Sequence, residues 1–237
     1  MELTAAQWLG FDESHLCLLT GKNAPHRLLP EVAEAFVAMQ AAAARDGIDL
    51  AIASSYRNFA RQLAIWNGKF DGSRPLLDAA CQPLDPTRLD EEQKVTAILR
   101  WSALPGTSRH HWGSDLDIYS PALLPEGSPL QLEPWEYDDG GYFAPLSRWL
   151  HQHMAEFGFY LPFANRPPQA KGMAPAREPW HLSHQATARQ ITTRLNVHLL
   201  RDCIEHQPVA GRQTVLAMLE QIWQGYVLHF AINESKP

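Results

Sequence analysis

Residues Pro105–Tyr119, PGTSRHHWGSDLDIY, combine a turn, two histidines and a short strand pattern. The stretch begins as a Pro-Gly turn. Its last five residues alternate polar and apolar side chains, which predicts a half-buried strand. A loop that carries an imidazole, followed by a strand that carries a carboxylate, can hold a divalent metal ion. Gly113 would let the backbone fold back so that His110 and Asp117 meet. The stretch therefore predicts one half of a metal site.

The other half of the site is predicted at Glu178-Pro179-Trp180-His181, the one other stretch that fits well. Together the two stretches carry S-x-H-x-x-G-x-x-x-D over residues 108–117 and E-x-x-H over residues 178–181. This pattern resembles the zinc D-alanyl-D-alanine carboxypeptidase family. That VanY-like group includes both D,D- and L,D-carboxypeptidases of peptidoglycan.

Two further segments resemble the same family. The sequence SSYR-x-x-x-x-Q over residues 54–62 is similar to its substrate-binding segment, and Phe-Gly-Phe at 157–159 is similar to its Tyr-Gly-Phe step. The resemblance covers roughly residues 30 to 185. One position departs from the pattern, because the family usually has a small residue, commonly Ala, where this chain has Asp115. We expect Asp115 either to orient a ligand histidine or to mark a different specificity.

The resemblance implies one Zn²⁺ held by His110, Asp117 and His181, with the fourth position left for water. Glu178 is then the general base. In a regular strand, residues three apart point to opposite faces, and Pro179 disfavours the α conformation at Glu178. The segment must therefore bend if both of its side chains are to face one metal ion.

The substrate side of the site rests on Arg57, whose guanidinium can grip a terminal carboxylate in a bidentate manner. Gln62 and Ser108 are added as substrate-binding residues by the resemblance alone. His111 is the alternative ligand should His110 not bind the metal. Asp115 shares a strand face with Asp117.

The composition predicts an ordinary soluble globular protein, with 45% hydrophobic and 19% charged residues. The net charge of −6 argues against nucleic acid or an anionic membrane as partner. No apolar stretch approaches the ~20 residues needed to insert in a bilayer. The N-terminus lacks the pattern of a signal peptide, and three widely spaced cysteines indicate reduced thiols. We therefore expect a cytoplasmic protein, and its oligomeric state is left open.

The predicted fold is α+β: a small antiparallel sheet with flanking helices and a zinc cleft, similar to Hedgehog and D,D-peptidase domains, plus a C-terminal helical pair. Residues 1–185 are predicted to form the zinc carboxypeptidase domain, and residues 186–237 a helical extension packed on it. Helices are expected at 31–46, 59–66, 89–101, 146–156, 186–206 and 214–230, and strands at 48–54, 115–119 and 157–161. Residues 67–88 and 120–143 are expected to be loops that wall the substrate pocket.

The expected substrate is a peptidoglycan stem peptide, from which the enzyme removes the terminal D-alanine. We favour L,D cleavage, which converts tetrapeptide to tripeptide in murein recycling, because a cytoplasmic D,D-enzyme would destroy pentapeptide precursors. Discrimination would fall on the residue upstream of the cut, where Asp138 or Asp139 could meet an ammonium group. The alternatives are a D,D-carboxypeptidase, an endopeptidase, which Arg57 argues against, and a non-catalytic zinc-containing muropeptide-binding module, for which Glu178 would be superfluous.

Overall fold

The fold is taken from a computed structural model, which describes residues 2–19, 25–163 and 174–228. The strands are β1 (Cys17–Leu19), β2 (His26–Leu28), β3 (Ala51–Ser54), β4 (Leu76–Leu77), β5 (Pro83–Leu84), β6 (Asp115–Tyr119), β7 (Phe159–Tyr160) and β8 (His181–His184). The helices are α1 (Ala5–Trp8), α2 (Pro30–Arg45), α3 (Phe59–Phe70), α4 (Glu91–Trp101), α5 (Pro134–Tyr137), α6 (Ala144–His153), α7 (Gln185–Thr192), α8 (Val197–His206), α9 (Arg212–Ala217) and α10 (Leu219–Ile222).

An antiparallel four-stranded sheet, in the order β3-β6-β8-β7, stands at the centre of the fold. Strands β6 and β8 are its two inner strands, and Leu116, Ile118 and Leu182 on them are fully buried. Helices surround the sheet, and their buried faces join it in one hydrophobic cluster. The expected α+β class, a small antiparallel sheet with flanking helices, is confirmed.

Local sequence signals explain where the longer helices begin. Pro30 occupies the first turn of α2, where its missing N–H is not needed. Asn58 caps α3 by accepting from the Arg61 amide, and Asp90 caps α4 in a reciprocal box with Gln93. The apolar faces of these helices then pack on the sheet, which supplies most of their stability.

Several predicted boundaries need correction. Helix α3 continues to Phe70 rather than residue 66, and the segment predicted as a loop over 67–88 contains the β4–β5 hairpin. The predicted loop over 120–143 contains the one-turn helix α5. Both C-terminal helical stretches are present but interrupted: the first breaks between Thr192 and Val197, and the second becomes a π-helical turn at Trp223–Leu228.

The C-terminal helices are joined to α3 through the segment between α8 and α9. The Trp66 indole N–H donates to Ala210 O at 3.0 Å, and the Asn67 amide both donates to Pro208 O and accepts from Ala210 N. Their buried side chains, among them Leu200, belong to the main hydrophobic cluster. Within the described residues, no helix combines the length and apolar character that crossing a bilayer requires.

Candidate active site

The sheet itself brings Asp117 and His181 together. They are directly opposed residues of β6 and β8, so their side chains leave the same face of the sheet a few ångströms apart. The Asp117 Oδ1 atom lies 3.2 Å from His181 Nδ1. Since Asp115 is two residues before Asp117, it faces the same side.

His110 reaches this pair from the short 3₁₀ turn at Arg109–His111. Its Nδ1 lies 2.9 Å from Ser55 O, which fixes Nδ1 as the protonated nitrogen. The other nitrogen, Nε2, therefore presents its lone pair, and it lies 3.3 Å from Asp117 Oδ2. Gly113 follows in the left-handed conformation, with φ of 75°, and a Cβ there would lie 2.3 Å from the Leu16 side chain. The expected fold-back at Gly113 is confirmed.

The three side chains fit the requirements of zinc. The ligand atoms of His110, Asp117 and His181 lie within 4.8 Å of one another, and all three residues are buried. Tetrahedral bonds of about 2.0–2.1 Å place neighbouring ligand atoms roughly 3.3–3.4 Å apart. The two carboxylate oxygens of Asp117 lie at similar distances from the histidines, Oδ1 3.2 Å from His181 Nδ1 and Oδ2 3.3 Å from His110 Nε2. Moreover, Asp117 Oδ1 is buried and makes no hydrogen bond within the described part of the chain. Two imidazoles and a carboxylate whose oxygen lacks a donor form a donor set suited to Zn²⁺.

The Glu178 side chain lies beside the three candidate ligands because its segment bends as expected. The His181 amide donates to Glu178 O at 3.1 Å, which closes a turn with Pro179 at its second position. As a result, Glu178 Oε2 lies 3.6 Å from His181 Nδ1. Burial raises the pKa of the Glu178 carboxyl to about 7, although the His181 imidazole opposes this shift. A carboxyl group in this position can exchange a proton with water near neutral pH.

Asp115 is the centre of a fully buried polar network. Its Oδ2 lies 2.9 Å from His181 Nε2 and 2.7 Å from Arg109 Nε. Its Oδ1 accepts from the hydroxyls of Ser114 and Ser183. Burial alone would raise the pKa of Asp115, but the Arg109 guanidinium and His181 outweigh it and hold the pKa well below its usual range. Of the two expectations for Asp115, contact with a candidate ligand histidine is therefore the one that is observed.

Arg109 was missed from sequence, although it lies inside the central motif. Its Nη2 donates to Ser183 Oγ at 2.8 Å and to the Tyr160 hydroxyl at 2.9 Å, in addition to its ion pair with Asp115. The guanidinium also stacks 4.8 Å above the Trp112 ring. Asp115, which departs from the family pattern described above, was the available signal, because a buried carboxylate needs a buried cation.

Arg57 and Gln62 form a connected pair on the other side of the site. Arg57 Nη1 donates to Gln62 Oε1 at 2.7 Å, and Gln62 Nε2 donates to Ala103 O at 2.6 Å. The Arg57 amide also donates to His110 O at 3.1 Å, which joins this pair to the metal side. Burial lowers the pKa of Arg57, yet no ion pair to it is found within the described residues. Ser108 is 2% exposed and lines the same cavity.

The alternative ligand His111 points away from the site. Its Nδ1 lies 2.5 Å from Arg57 O, and its Nε2 accepts from the Gly106 amide at 3.1 Å. Both ring nitrogens are thus engaged by backbone groups. Burial lowers the pKa of His111 to about 3, so the ring is neutral.

The expected ammonium-binding acids lie elsewhere. Asp138 pairs with Arg177, and Asp139 lies 3.4 Å from Arg148 with its side chain 98% exposed. Neither lines the cavity, so this expectation was wrong. Arg177 and Arg148 neutralise the two acids in the α5–α6 region instead.

One cavity of about 340 Å³ connects the candidate metal site with the Arg57 side chain. Its lining includes the candidate metal ligands, Glu178, Arg57 and Ser108. Residues from both expected wall segments also line it, namely Lys69, Arg74, Leu77 and Cys81 from 67–88 and Gln131, Leu132 and Glu133 from 120–143. Lys69 and Tyr226 were missed from sequence. Lys69 could have been found from its spacing of seven residues after Gln62, which places both on one face of α3; no sequence signal pointed to Tyr226.

Comparison with known proteins identifies the family. The family model for VanY, D-alanyl-D-alanine carboxypeptidase, matches residues 25–187. An uncharacterized protein of Haemophilus influenzae is 39% identical over 125 residues, which are 53% of this chain and 93% of that protein. A second uncharacterized protein of the same organism is 46% identical over 105 residues, 44% of this chain and 72% of its own.

Solved structures share the fold. The LD-carboxypeptidase LdcB superposes with a TM-score of 0.50 at 19% identity, covering 94% of this chain and 79% of that one. The vancomycin resistance D,D-pentapeptidase VanY from a VanB-type cassette, in complex with Zn(II), gives 0.49 at 21% identity over 86% and 92% of the two chains. With the family match spanning more than half of its length, the chain belongs to the VanY D-alanyl-D-alanine carboxypeptidase family.

Proposed function

We propose that this protein is a zinc-dependent carboxypeptidase that removes the terminal D-alanine from peptidoglycan stem peptides. One observation carries the proposal. A three-residue zinc-type donor set, a carboxyl group with a pKa of about 7 and an arginine without an acid partner in the described chain all line one cavity. A binding module needs no such carboxyl group at its metal site.

The proposed roles follow from the positions of the side chains. His110, Asp117 and His181 would hold Zn²⁺, which supplies a charge that polarises a carbonyl and lowers the pKa of water. Glu178, 3.6 Å from His181, is positioned to take a proton from water and deliver it to the leaving amine. Arg57 would bind the terminal carboxylate, while Gln62 holds its guanidinium in place and Ser108 donates to the peptide. Because Arg57 requires a free carboxylate, the arrangement favours a carboxypeptidase over an endopeptidase.

We favour L,D cleavage of the tetrapeptide. Tetrapeptide and pentapeptide offer Arg57 the same terminal D-alanine, so selection must come from the residue upstream of the cut. The cavity continues from Arg57 along α3 to the wall segments at 67–88 and 120–143. This space suits a long polar side chain better than the methyl group of a second D-alanine. The D,D activity remains the alternative.

We further propose that the enzyme works in the cytoplasm, where tetrapeptides released from the wall are shortened during murein recycling. In support, Cys17, Cys81 and Cys203 are all unpaired, as is usual for proteins of reducing compartments. Fractionation of cells that produce the native protein, followed by immunoblotting, tests this location, and recovery in an extracytoplasmic fraction would contradict it.

We also propose that residues 1–185 form the zinc carboxypeptidase domain and that residues 186–237 are an extension that completes its cavity. Tyr226, in the π-helical turn, lines the cavity. Substitution of Tyr226 by Ala is expected to change KM with zinc content unaltered. An unchanged KM would remove the extension from the site.

The experiment that tests the function is incubation of the zinc-loaded protein with muropeptides that carry tri-, tetra- or pentapeptide stems. Mass spectrometry is expected to show loss of one D-alanine from the tetrapeptide, slower loss from the pentapeptide and none from the tripeptide. A tetrapeptide with an amidated C-terminus is the control, which should resist cleavage because Arg57 finds no carboxylate. Faster loss from the pentapeptide would select the D,D alternative. Binding without any cleavage would select the binding module.

A further inference from the structure

Lys69 places a partly buried cation in the same cavity as Arg57. It lies on α3, is half-buried, lines the cavity, and donates from Nζ to Ser102 Oγ at 2.7 Å. An ammonium group carries three N–H donors, so two of them remain for other partners. Burial lowers the pKa of Lys69 to about 8, while Glu178 opposes that shift, and the group is still mostly charged at neutral pH.

No carboxylate pairs with Lys69 within the described residues, since none of the ion pairs there includes it. This is unusual for a lysine that is partly withdrawn from water, because desolvation is normally offset by an opposite charge. The same holds for Arg57. Two desolvated cations without acid partners therefore line one cavity, whereas a terminal D-alanine brings only one carboxylate. One anionic group of the ligand is unaccounted for.

The position of Lys69 indicates where that group sits. Gln62, which holds Arg57, and Lys69 are seven residues apart on α3, so they share a face and are separated by about 10.5 Å of helix rise. Ile65, which lies between them, also lines the cavity. Lys69 and Glu178 line the same cavity, and the Glu178 charge opposes the lowering of the Lys69 pKa.

We propose that Lys69 binds a second carboxylate of the substrate, at the end of the side chain of the residue on the amino side of the cut. This rests on the proposed carboxypeptidase function and names its substrate class: peptides whose penultimate residue has a long side chain that ends in a carboxylate, alone or as part of an amino-acid terminus. One extended residue and a side chain of four methylene groups reach roughly 10 Å, which matches the spacing along α3.

The charges around Lys69 support this choice over an ammonium-ended side chain. Arg74 and Arg100 line the same cavity as Lys69, together with one acid from outside the candidate metal site, Glu133, so the positive charges are in excess. A lysine-type side chain would bring a further positive charge among these groups, and like charges at such distances repel. The wrong expectation for Asp138 and Asp139 points the same way, because the acids expected to receive an ammonium are outside the cavity.

The test compares two tetrapeptides that differ only at the penultimate residue. In one, the side chain is four methylene groups ending in a carboxylate; in the other, it is lysine, with four methylene groups ending in an ammonium. We expect the zinc-loaded protein to give a kcat/KM about 10- to 100-fold higher for the carboxylate peptide, the range for one charge-assisted hydrogen bond. Lys69→Met should remove that preference by lowering kcat/KM for the carboxylate peptide, while kcat/KM for the lysine peptide stays unchanged or rises as like-charge repulsion is relieved. Lys94→Met is the matched control, because Lys94 lies over the Phe70 ring and does not line the cavity.

Three results would overturn the proposal: no preference in the unaltered protein, a preference for the lysine peptide, or an equal loss for both peptides in Lys69→Met. The last would place Lys69 on the terminal carboxylate or at the reaction itself. If neither peptide is cleaved, the proposed carboxypeptidase function is contradicted. The binding of the two peptides to the same proteins is then compared by calorimetry. Tighter binding of the carboxylate peptide that Lys69→Met abolishes would still support the second-carboxylate site. Equal binding would reject it.

Discussion

The two ends of the active-site cavity treat buried charge in opposite ways. At the metal end, each carboxylate has partners from the chain itself: Asp117 lies between the imidazoles of the two candidate ligand histidines, and Asp115 lies between His181 and Arg109. At the substrate end, Arg57 and Lys69 line the cavity without an acid partner in the described chain. Their contacts are with neutral groups, Gln62 and Ser102.

The difference fits what each end would bind under the proposed function. The metal end would receive a cation, so its carboxylates and imidazoles must be held in one geometry beforehand, and the mutual pairing does this. The substrate end would receive anions, with which an acid paired to Arg57 or Lys69 would compete. Leaving the two cations without acids costs stability in the free protein, and a bound carboxylate would offset that cost. Under the proposed function, folding alone therefore organises the metal end, whereas a ligand would complete the substrate end.

Of the substitutions at the metal end, His181→Ala should cause the largest loss of zinc and of activity. The variant leaves two protein ligands and removes the cross-strand partner of Asp117, so we expect zinc content below about 0.1 per chain and kcat/KM at least about 1000-fold lower. Elemental analysis and D-alanine release measure the two effects. His184→Ala, on the same strand but bonded to Thr187, is the control that should keep its zinc. A full zinc complement in His181→Ala would remove His181 from the site.

Glu178→Gln separates chemistry from metal binding. Because Glu178 faces His181 without belonging to the three candidate ligands, the variant should retain one zinc per chain. Its kcat should fall by about 10²- to 10⁴-fold, since the amide cannot accept a proton. The substrate KM should change little, because Arg57 is intact. Near-normal turnover would favour the binding-module alternative.

The sequence predicted the metal end well because its residues lie in short, chemically unusual motifs. His110, Asp117, Glu178 and His181 all meet as predicted, and the required bend at Pro179 exists. Spacing alone could not show that Asp117 and His181 are opposed, because that register depends on pairing between strands more than 60 residues apart. Spacing alone also could not identify Arg109 as the partner of Asp115, because Arg109 donates hydrogen bonds to residues in three separate segments of the chain.

The substrate end and the helix boundaries were harder to predict. Lys69 lies in the part of α3 that was taken for a loop, because Asn67 and Gly68 are poor helix formers. Packing overrides this preference, because Asn67 forms hydrogen bonds with Pro208 and Ala210 in the segment between α8 and α9. Such contacts join residues about 140 positions apart in the chain, so no local pattern carries them.

Asp115→Asn should weaken zinc binding although it removes none of the three candidate ligands. The amide keeps the shape of the side chain but loses the charge that orients His181 and neutralises Arg109. We expect zinc affinity to fall by about 10- to 100-fold, the usual effect of such supporting carboxylates. Competition with a chelator measures it. Asp138→Asn, which loses only a surface pair with Arg177, should leave the affinity unchanged. An equal loss in both variants would point to a general effect of net charge.

The smallest expected effect concerns pH at the substrate end. Burial lowers the pKa of Lys69 to about 8, against the influence of Glu178 and together with that of Arg57 and Arg74. Lys69 is charged below that pKa and neutral above it. The preference for the carboxylate-ended peptide should therefore be nearly full near pH 7 and should fall about fivefold between pH 8 and 9. The quantity to measure is the ratio of kcat/KM for the carboxylate and lysine peptides, which reports the free enzyme.

Because both peptides use the same metal, Glu178 and Arg57, changes in those groups cancel in the ratio. The lysine of the second peptide titrates near 10.4, so its charge is constant over this range. Lys69→Met should give a flat ratio at every pH, and Lys94→Met should follow the unaltered protein. If the unaltered protein also gives a flat ratio, the charge on Lys69 does not select the substrate, and the cavity discriminates by shape alone.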